Sequence, residues 1–459
     1  MDTALKISIG TLCLAAFAIG TDFTGVMLLI TDIQSEYSVD ITTTQWVLNI
    51  YVLTFSMLMV SGGRFGDMYG RRRLTTVGLF IFSLASLACM LSPSIGWLIT
   101  ARALQGVGAA LVWPCILAMA GALAGKDKSN VAIGLIFASI TGGNVIGPLI
   151  GGVAVSVGDW RLFFLVNLVL LVAVLTLTFK FVPKDAAAKT DERIDYAGMA
   201  ILSGAALALL YALDVGANLG WRSPPILGLF ALSAILFAAF PFVENKVKDP
   251  MVLPVMMRNK QFLLTLSTNA LQIPALFIAF LYFPQYLQKS LGWSALQASF
   301  GMVPMMILMA VVSAGVGHLY DRFGLKRLLL SGYVLVTLGA LLIVLLQPSW
   351  GYFAVFPTMV LLGFGVALSV GSAGLAAVSS VAPERAGVAG GLSFMLHLAY
   401  GAVGVALATA IMNDATQGPS TASFAVGMSH AYAVALVSAF IGVLVVLAID
   451  ESKLRSVDR

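Results

Sequence analysis

Charge is scarce in this chain. Only 10% of its 459 residues are Asp, Glu, Lys or Arg, where a soluble globular domain carries about 25%. So few charges cannot dress a water-facing surface of this size. The 59% of hydrophobic residues and the mean hydropathy of +0.97 say the same. Histidine is scarcer still: His318, His397 and His430 stand far apart, and no nucleophile–base pattern accompanies them. That argues against an enzyme built into the membrane. The cysteines Cys13, Cys89 and Cys115 all sit inside apolar runs, so neither a disulfide framework nor a metal cluster is expected. Stretches polar and long enough for a soluble domain are missing; the longest connections are 183–195 and 413–428.

What is there instead is apolar length. About 20 apolar residues cross a bilayer core as a helix. Fourteen such runs can be laid along the chain, from 7–30 to 429–449. The first is longer than the apolar part of a cleaved signal and is expected to be retained as a span. An even count places both termini on one side. All 26 basic residues except Arg102, Arg161, Arg222 and Lys289 then fall within or beside the segments of that side. Such asymmetry marks the cytoplasmic face, and it explains the net charge of +5 without nucleic acid. The expectation is an all-α integral membrane protein in a bacterial inner membrane, with both termini cytoplasmic.

One loop occurs twice. "GRFGDMYGRRRL" at 63–74 and "GHLYDRFGLKRL" at 317–328 carry Gly, Asp, Gly and basic residues in the same register. This predicts two six-helix bundles, 1–182 and 261–459, around cytoplasmic linkers and an extra helix pair at 183–260. In the first copy Gly63 allows close approach, Gly70 a tight turn, and Asp67 can accept from a helix N-terminus and pair with an arginine, while Arg71 to Arg73 face the anionic leaflet. Gly317, Asp321, Gly324 and Lys326 are the matching positions of the second copy.

Ionisable residues inside spans are costly and face a cavity or a partner. Asp22 lies midway along the first run, and Arg102 opens "RALQGVGAAL" with Gln105 and Gly106 on its own helix face. Burial opposes ionisation of a carboxyl while a neighbouring cation favours it. Asp22 could therefore exchange a proton, or simply bond a neighbouring helix. His397, in "LSFMLHLAYG", is of the residue type that titrates near neutral pH; it too could merely bond a neighbour. Asp214 is expected as a solvated charge near the outer mouth. In "GGNVIGPLIGG", Gly143, Gly147 and Gly151 recur every four residues, with Pro148 and Gly152 beside them. Such a small-residue face packs closely against another helix, and the proline bend is tolerated in a bundle. Aromatic faces attract lipophilic cations and methionine repacks around varied ligands. Trp46, Tyr51, Trp113, Phe163, Tyr282, Tyr286, Phe394 and Met395, with Asn49, Gln105, Asp22 and His397, are therefore the candidate cargo-binding residues.

The repeated loop resembles the signature between the second and third helices of the major facilitator superfamily. "RALQG" is similar to that superfamily's fourth-helix motif, and "GGNVIGPLIGG" to the antiporter motif of its drug exporters. "TDFTGVMLL", "TTQWVLNIYVL", "DWRLFFLVN" and "YLQKSLGWSALQASFGMVP" resemble its fourteen-span drug:proton antiporters. The resemblance implies the major facilitator fold, with two six-helix bundles plus two additional helices. It also implies a proton gradient as energy source and no cofactor. Roles come with it: Arg102 in proton coupling, Asp22 at a functional acidic position, the two loops as a cytoplasmic gate, and the glycine motif as a dry contact between the halves. The expected function is proton-coupled export of small lipophilic, cationic compounds by a monomer. Some relatives carry a carboxylate in the thirteenth helix, where this chain has His397. That departure keeps the alternative open: a dedicated exporter of a native metabolite, sugar or lipid, with drug efflux incidental.

Overall fold

The structure is a computed structural model that describes residues 3–39, 41–125, 128–184, 194–345, 351–381, 385–415 and 421–451. Fourteen helices are long and apolar enough to cross a membrane. They are Thr3–Tyr37, Thr43–Tyr69, Arg71–Met90, Ile95–Ala124, Ser129–Val157, Arg161–Phe181, Tyr196–Gly216, Pro224–Glu244, Lys260–Lys289, Phe300–Phe323, Leu325–Val344, Val355–Val378, Ala386–Met412 and Phe424–Leu447. The count agrees with the sequence expectation; the first helix is longer than expected at both ends. Among the described residues all regular structure is helical. The basic residues Lys126, Lys189, Arg193, Lys453, Arg455 and Arg459, used above for orientation, lie outside the described residues, as do most of 183–195 and part of 413–428.

Two spans are broken. The first is an α-helix Thr3–Gly25, a 3-10 turn Val26–Leu29 and a second α-helix Ile30–Tyr37. The ninth breaks at Gln272, between Lys260–Leu271 and Ile273–Lys289, where Pro274 has no N–H to continue the ladder.

Contacts divide the chain into two compact units. One comprises Met1–Ala208, Ala231–Pro254 and Val381–Met395; the other comprises Leu209–Phe230, Val255–Ser380 and Leu396–Arg459. The seventh, eighth and thirteenth spans thus contribute residues to both. Within the first unit the fourth span packs on the second and third, the third on the sixth, and the first on the fifth and sixth. Within the second unit the twelfth packs on the tenth and eleventh, the eleventh on the fourteenth, and the ninth on the fourteenth. Among the described residues four of the five pairings recur, the first–fifth contact being the exception, so the repeat seen in the loops extends to most of the packing.

A close backbone approach repeats as well. A Cβ on Gly78 would lie 2.8 Å from the Gly108 carbonyl oxygen, and one on Gly108 would lie 2.8 Å from that of Gly78. Gly332 and Gly365 stand in the same reciprocal relation at 2.8 and 2.7 Å. Lipid offers no hydrophobic drive to bring helices together, so backbone-to-backbone packing of this kind does it.

Candidate functional site

The densest polar cluster lies inside the first unit. Asp22 is 0% and Arg102 1% exposed. Arg102 Nη1 donates to Asp22 Oδ2 at 2.5 Å and to Gln105 Oε1 at 2.7 Å, while Nε donates to the Val47 carbonyl at 2.9 Å. Its guanidinium also lies over the Tyr51 ring, 4.4 Å from the centroid. Asn167 Nδ2 donates to Asp22 Oδ1 at 2.8 Å, and Gln105 Nε2 donates to the same oxygen at 3.4 Å and to Ser86 Oγ at 2.8 Å. The first, second, third, fourth and sixth spans all supply a partner. Helical spacing of three residues puts Arg102 and Gln105 side by side, as expected from sequence.

Both oxygens of Asp22 are taken, and the group is sealed from solvent. A bulkier cation could reach this carboxylate only by displacing Arg102, Asn167 or Gln105. A proton needs no such room. The guanidinium also keeps other acceptors if Asp22 becomes neutral: the Val47 carbonyl, Gln105 Oε1 and the Tyr51 face.

The glycine motif is built against the first span. A Cβ on Gly143 would lie 2.2 Å from the Phe17 carbonyl oxygen, one on Gly147 2.5 Å from that of Thr21, and one on Gly151 2.5 Å from that of Gly25. Gly152, by contrast, faces only Leu28 at 3.7 Å. The three-glycine face is therefore filled by a neighbour in the same unit. Pro148 cannot donate to the carbonyl four residues before it, Asn144. The Thr24 hydroxyl of the first span donates to that oxygen at 2.9 Å. The seam thus holds the fifth span to the helix that carries Asp22.

In the first loop the single residue Gly70, at φ 100°, joins two helices. Arg71 Nε and Nη2 donate to Asp67 Oδ1 at 2.9 and 2.8 Å. The Val388 N–H donates to Asp67 Oδ2 at 3.2 Å, and the Gly387 N–H also serves this carboxylate. These are the first N–H groups of the thirteenth span, which its own helix cannot satisfy and whose dipole favours an anion. Gly63 permits the approach: its Cβ would lie 2.3 Å from the Gly387 carbonyl oxygen. In the second loop Gly324, at φ 80°, makes the same one-residue joint. Gly317 is buried, Asp321 is exposed, and Lys326 Nζ donates to the Leu447 and Ile449 carbonyls at 2.8 and 3.0 Å. The Lys326 N–H also donates to Glu451.

The aromatic candidates separate. Trp113 and Phe394 have centroids 4.8 Å apart, and Phe55 links them to Tyr51 at 5.8 and 5.7 Å. The Tyr51 hydroxyl and Trp113 Nε1 are buried without a hydrogen-bond partner among the described residues. Trp46 and Asn49 are half-buried, and Met395 is buried. Phe163 belongs instead to an apolar core with Val26, Leu29, Trp160 and Phe164, its ring against Gly25. Tyr282, Tyr286 and His397 lie buried in the second unit. There Tyr282 shares a 2.8 Å hydrogen bond with Thr409, and His397 packs edge-on to Phe277 at 6.2 Å.

Sequence reasoning missed Asn167, although it closes the quoted stretch "DWRLFFLVN"; an asparagine in an apolar helix was signal enough. It also missed Glu36, whose carboxylate takes both Nη atoms of Arg161 at 2.8 and 2.6 Å and Trp160 Nε1 at 2.6 Å. That clamp ties the end of the first span to the start of the sixth.

Fourteen membrane-length helices in two repeated packing sets, with a buried ion pair among them, are the frame of a membrane transporter. The chain matches the Major Facilitator Superfamily over residues 12–405, and it belongs to that family. The multidrug resistance protein Stp of Mycobacterium tuberculosis is 32% identical over 83% of this chain and 70% of its own. The puromycin resistance protein pur8 of Streptomyces alboniger is 31% identical over 93% and 87%. The crystal structure of the human organic anion transporter MFSD10 (TETRAN) is similar at a TM-score of 0.69 with 14% identity, covering 97% of this chain and 100% of that one. That likeness shows the fold, the all-helical major facilitator fold, here with fourteen membrane-length helices.

Proposed function

We propose that this protein is a proton-coupled antiporter that exports small lipophilic cations by alternating access, driven by the proton gradient and without a cofactor. The observation that carries the reading is the sealed Asp22–Arg102 pair. A neutral ion pair is tolerated in a low-dielectric interior, whereas one member alone costs about 3–5 kcal/mol. Adding a proton to Asp22 therefore switches the strength of a network that five spans share. Arg102, with fallback acceptors already in place, is the partner that moves. Asp22 then acts as the proton site, and cargo contact falls to the aromatic group of Tyr51, Trp113 and Phe394, with Trp46, Asn49 and Met395 along the same unit. Tyr282, Tyr286 and His397 stay as separate candidates within the second unit. The named activities of Stp and pur8, multidrug and puromycin resistance, support export of this kind.

The loop around Asp67 is the gate in this reading. Its contacts with the first turn of the thirteenth span form in one state and break in the other. Bundles 1–182 and 261–459, the helix pair within 183–260, a monomeric state and cytoplasmic termini in a bacterial inner membrane complete the proposal, the last supported by the basic-residue asymmetry. The test is flux in proteoliposomes under an imposed pH gradient. Wild-type protein should drive a lipophilic cation and Asp22→Asn should not, although it keeps its fold. Normal proton-driven flux by that variant would end the mechanism.

A second reading, export of a neutral native metabolite, is favoured by one observation. Asp321, at an end, is the only Asp or Glu in the described spans from the ninth to the fourteenth. Proton-driven flux of a neutral solute with none of a cation would select it.

A further inference from the structure

Two more buried carboxyl groups lie where the seventh span begins and the eighth ends. Asp195 is 5% and Glu244 1% exposed. Asp195 caps the seventh span, its Oδ1 accepting from the Gly198 N–H at 2.8 Å. Glu244 closes the eighth, and its carboxylate accepts from the Val252 N–H through Oε2 at 3.4 Å and from the Met251 N–H. The other oxygens, Asp195 Oδ2 and Glu244 Oε1, are buried and have no donor among the described residues. They converge on one spot. A Cβ on Gly198 would lie 2.3 Å from Asp195 Oδ2 and 2.7 Å from Glu244 Oε1, so the two oxygens are no farther apart than those distances together.

Among the described residues, the charged group that faces this pair from another element is Arg64 of the second span, itself 2% exposed and close enough to act on Glu244. Arg64 follows Gly63, the residue that meets Gly387 at the gate. A direct tie joins the same two spans, from the Ser203 hydroxyl to the Met57 carbonyl at 2.7 Å. All of these residues lie in the first unit.

Among the described residues, one guanidinium beside two buried carboxylates leaves a negative charge uncompensated, which is costly away from water. Two facing oxygens without a donor add to that cost. A single proton answers both, since a protonated carboxyl donates its O–H to the facing oxygen and cancels the extra charge. We infer that Asp195 and Glu244 hold one shared proton between Oδ2 and Oε1, and that this pair is a second, regulatory proton site. Release of the proton to the aqueous phase on the side of the Asp67 loop leaves the pair one charge more negative. Repulsion then loosens the seventh–eighth helix pair from the second span, beside the gate. The regulatory half of this inference rests on the gate reading above; the shared proton does not.

The experiment uses full-length protein in proteoliposomes. Infrared spectra should show a protonated-carboxyl C=O band that shifts in D2O and is lost in both Glu244→Gln and Asp195→Asn. An amide can donate in place of the shared proton, so both variants should fold and transport. With pH varied only on the side of the Asp67 loop, wild-type flux should fall as that side turns alkaline, and both variants should lose the dependence. If Asp195→Asn does not fold, Glu244→Gln decides alone. A band that survives the substitutions overturns the shared proton. An unchanged pH profile in transporting variants overturns the regulatory role. A wild-type protein that moves no cargo counts against the proposed function, while the infrared result still decides the proton.

Discussion

The two units repeat one packing plan and differ in what they bury. The first holds Asp22 on Arg102, Asp67 on Arg71 and the Asp195–Glu244 pair near Arg64. The second buries neutral groups at its polar contacts: Tyr282 with Thr409, and Tyr333 with the Thr268 carbonyl. The loops differ in the same way. Asp67 has a side chain 1% exposed and serves a helix N-terminus, whereas Asp321 is exposed and the basic Lys326 serves a helix C-terminus. A shared motif therefore fixes the turn but not the contact. A carboxylate caps a helix only where small residues, here Gly63 and Gly387, let that helix come close.

The comparison breaks most sharply at the acid of the first unit. Asp22→Asn should cut proton-driven flux by roughly two orders of magnitude, equivalent to about 3 kcal/mol, while His397→Gln in the second unit should keep most of it. Equal losses in the two, measured in proteoliposomes, would erase the asymmetry.

Next come the paired loops. Asp67→Ala leaves Arg71 and two helix N–H groups without their acceptor and should cost about 1–3 kcal/mol, read as a lowered melting temperature in detergent with impaired transport. Asp321→Ala, at an exposed position, should cost less than Asp67→Ala by the same measurement.

Packing gives a smaller contrast. Gly147→Ala drives a methyl group toward the Thr21 carbonyl and should destabilise by about 1–3 kcal/mol. Gly315→Ala, with nothing within 4 Å, should leave the melting temperature unchanged or slightly raised. Smallest of all, Tyr282→Phe removes one hydrogen bond from the second unit and should cost about 1 kcal/mol without altering the pH dependence of flux.

Much of this was legible before any coordinates. Fourteen apolar runs, a loop present twice, and Asp22 and Arg102 as costly intruders all follow from composition and spacing. Less legible was who meets whom. Asp22 finds Asn167 at a separation of 145 residues, and periodicity along one helix says nothing about such a neighbour. Phe163 looked like a cavity wall because aromatics suit cargo, yet the bare surface of Gly25 drew its ring into the core. The glycine motif was read as a contact between halves; its three-glycine face is filled by the first span.

Sequence alone therefore determined the helices, their number and the cost of each charge placed within them, because these depend on local chain chemistry and on hydrocarbon as solvent. Only the tertiary structure decided that Asp22 is enclosed by Arg102 and Asn167, that Asp67 caps the thirteenth span, and that Asp195 faces Glu244. Each of these needs helices distant in sequence to come together, and at Asp67 that approach is allowed by Gly63 against Gly387.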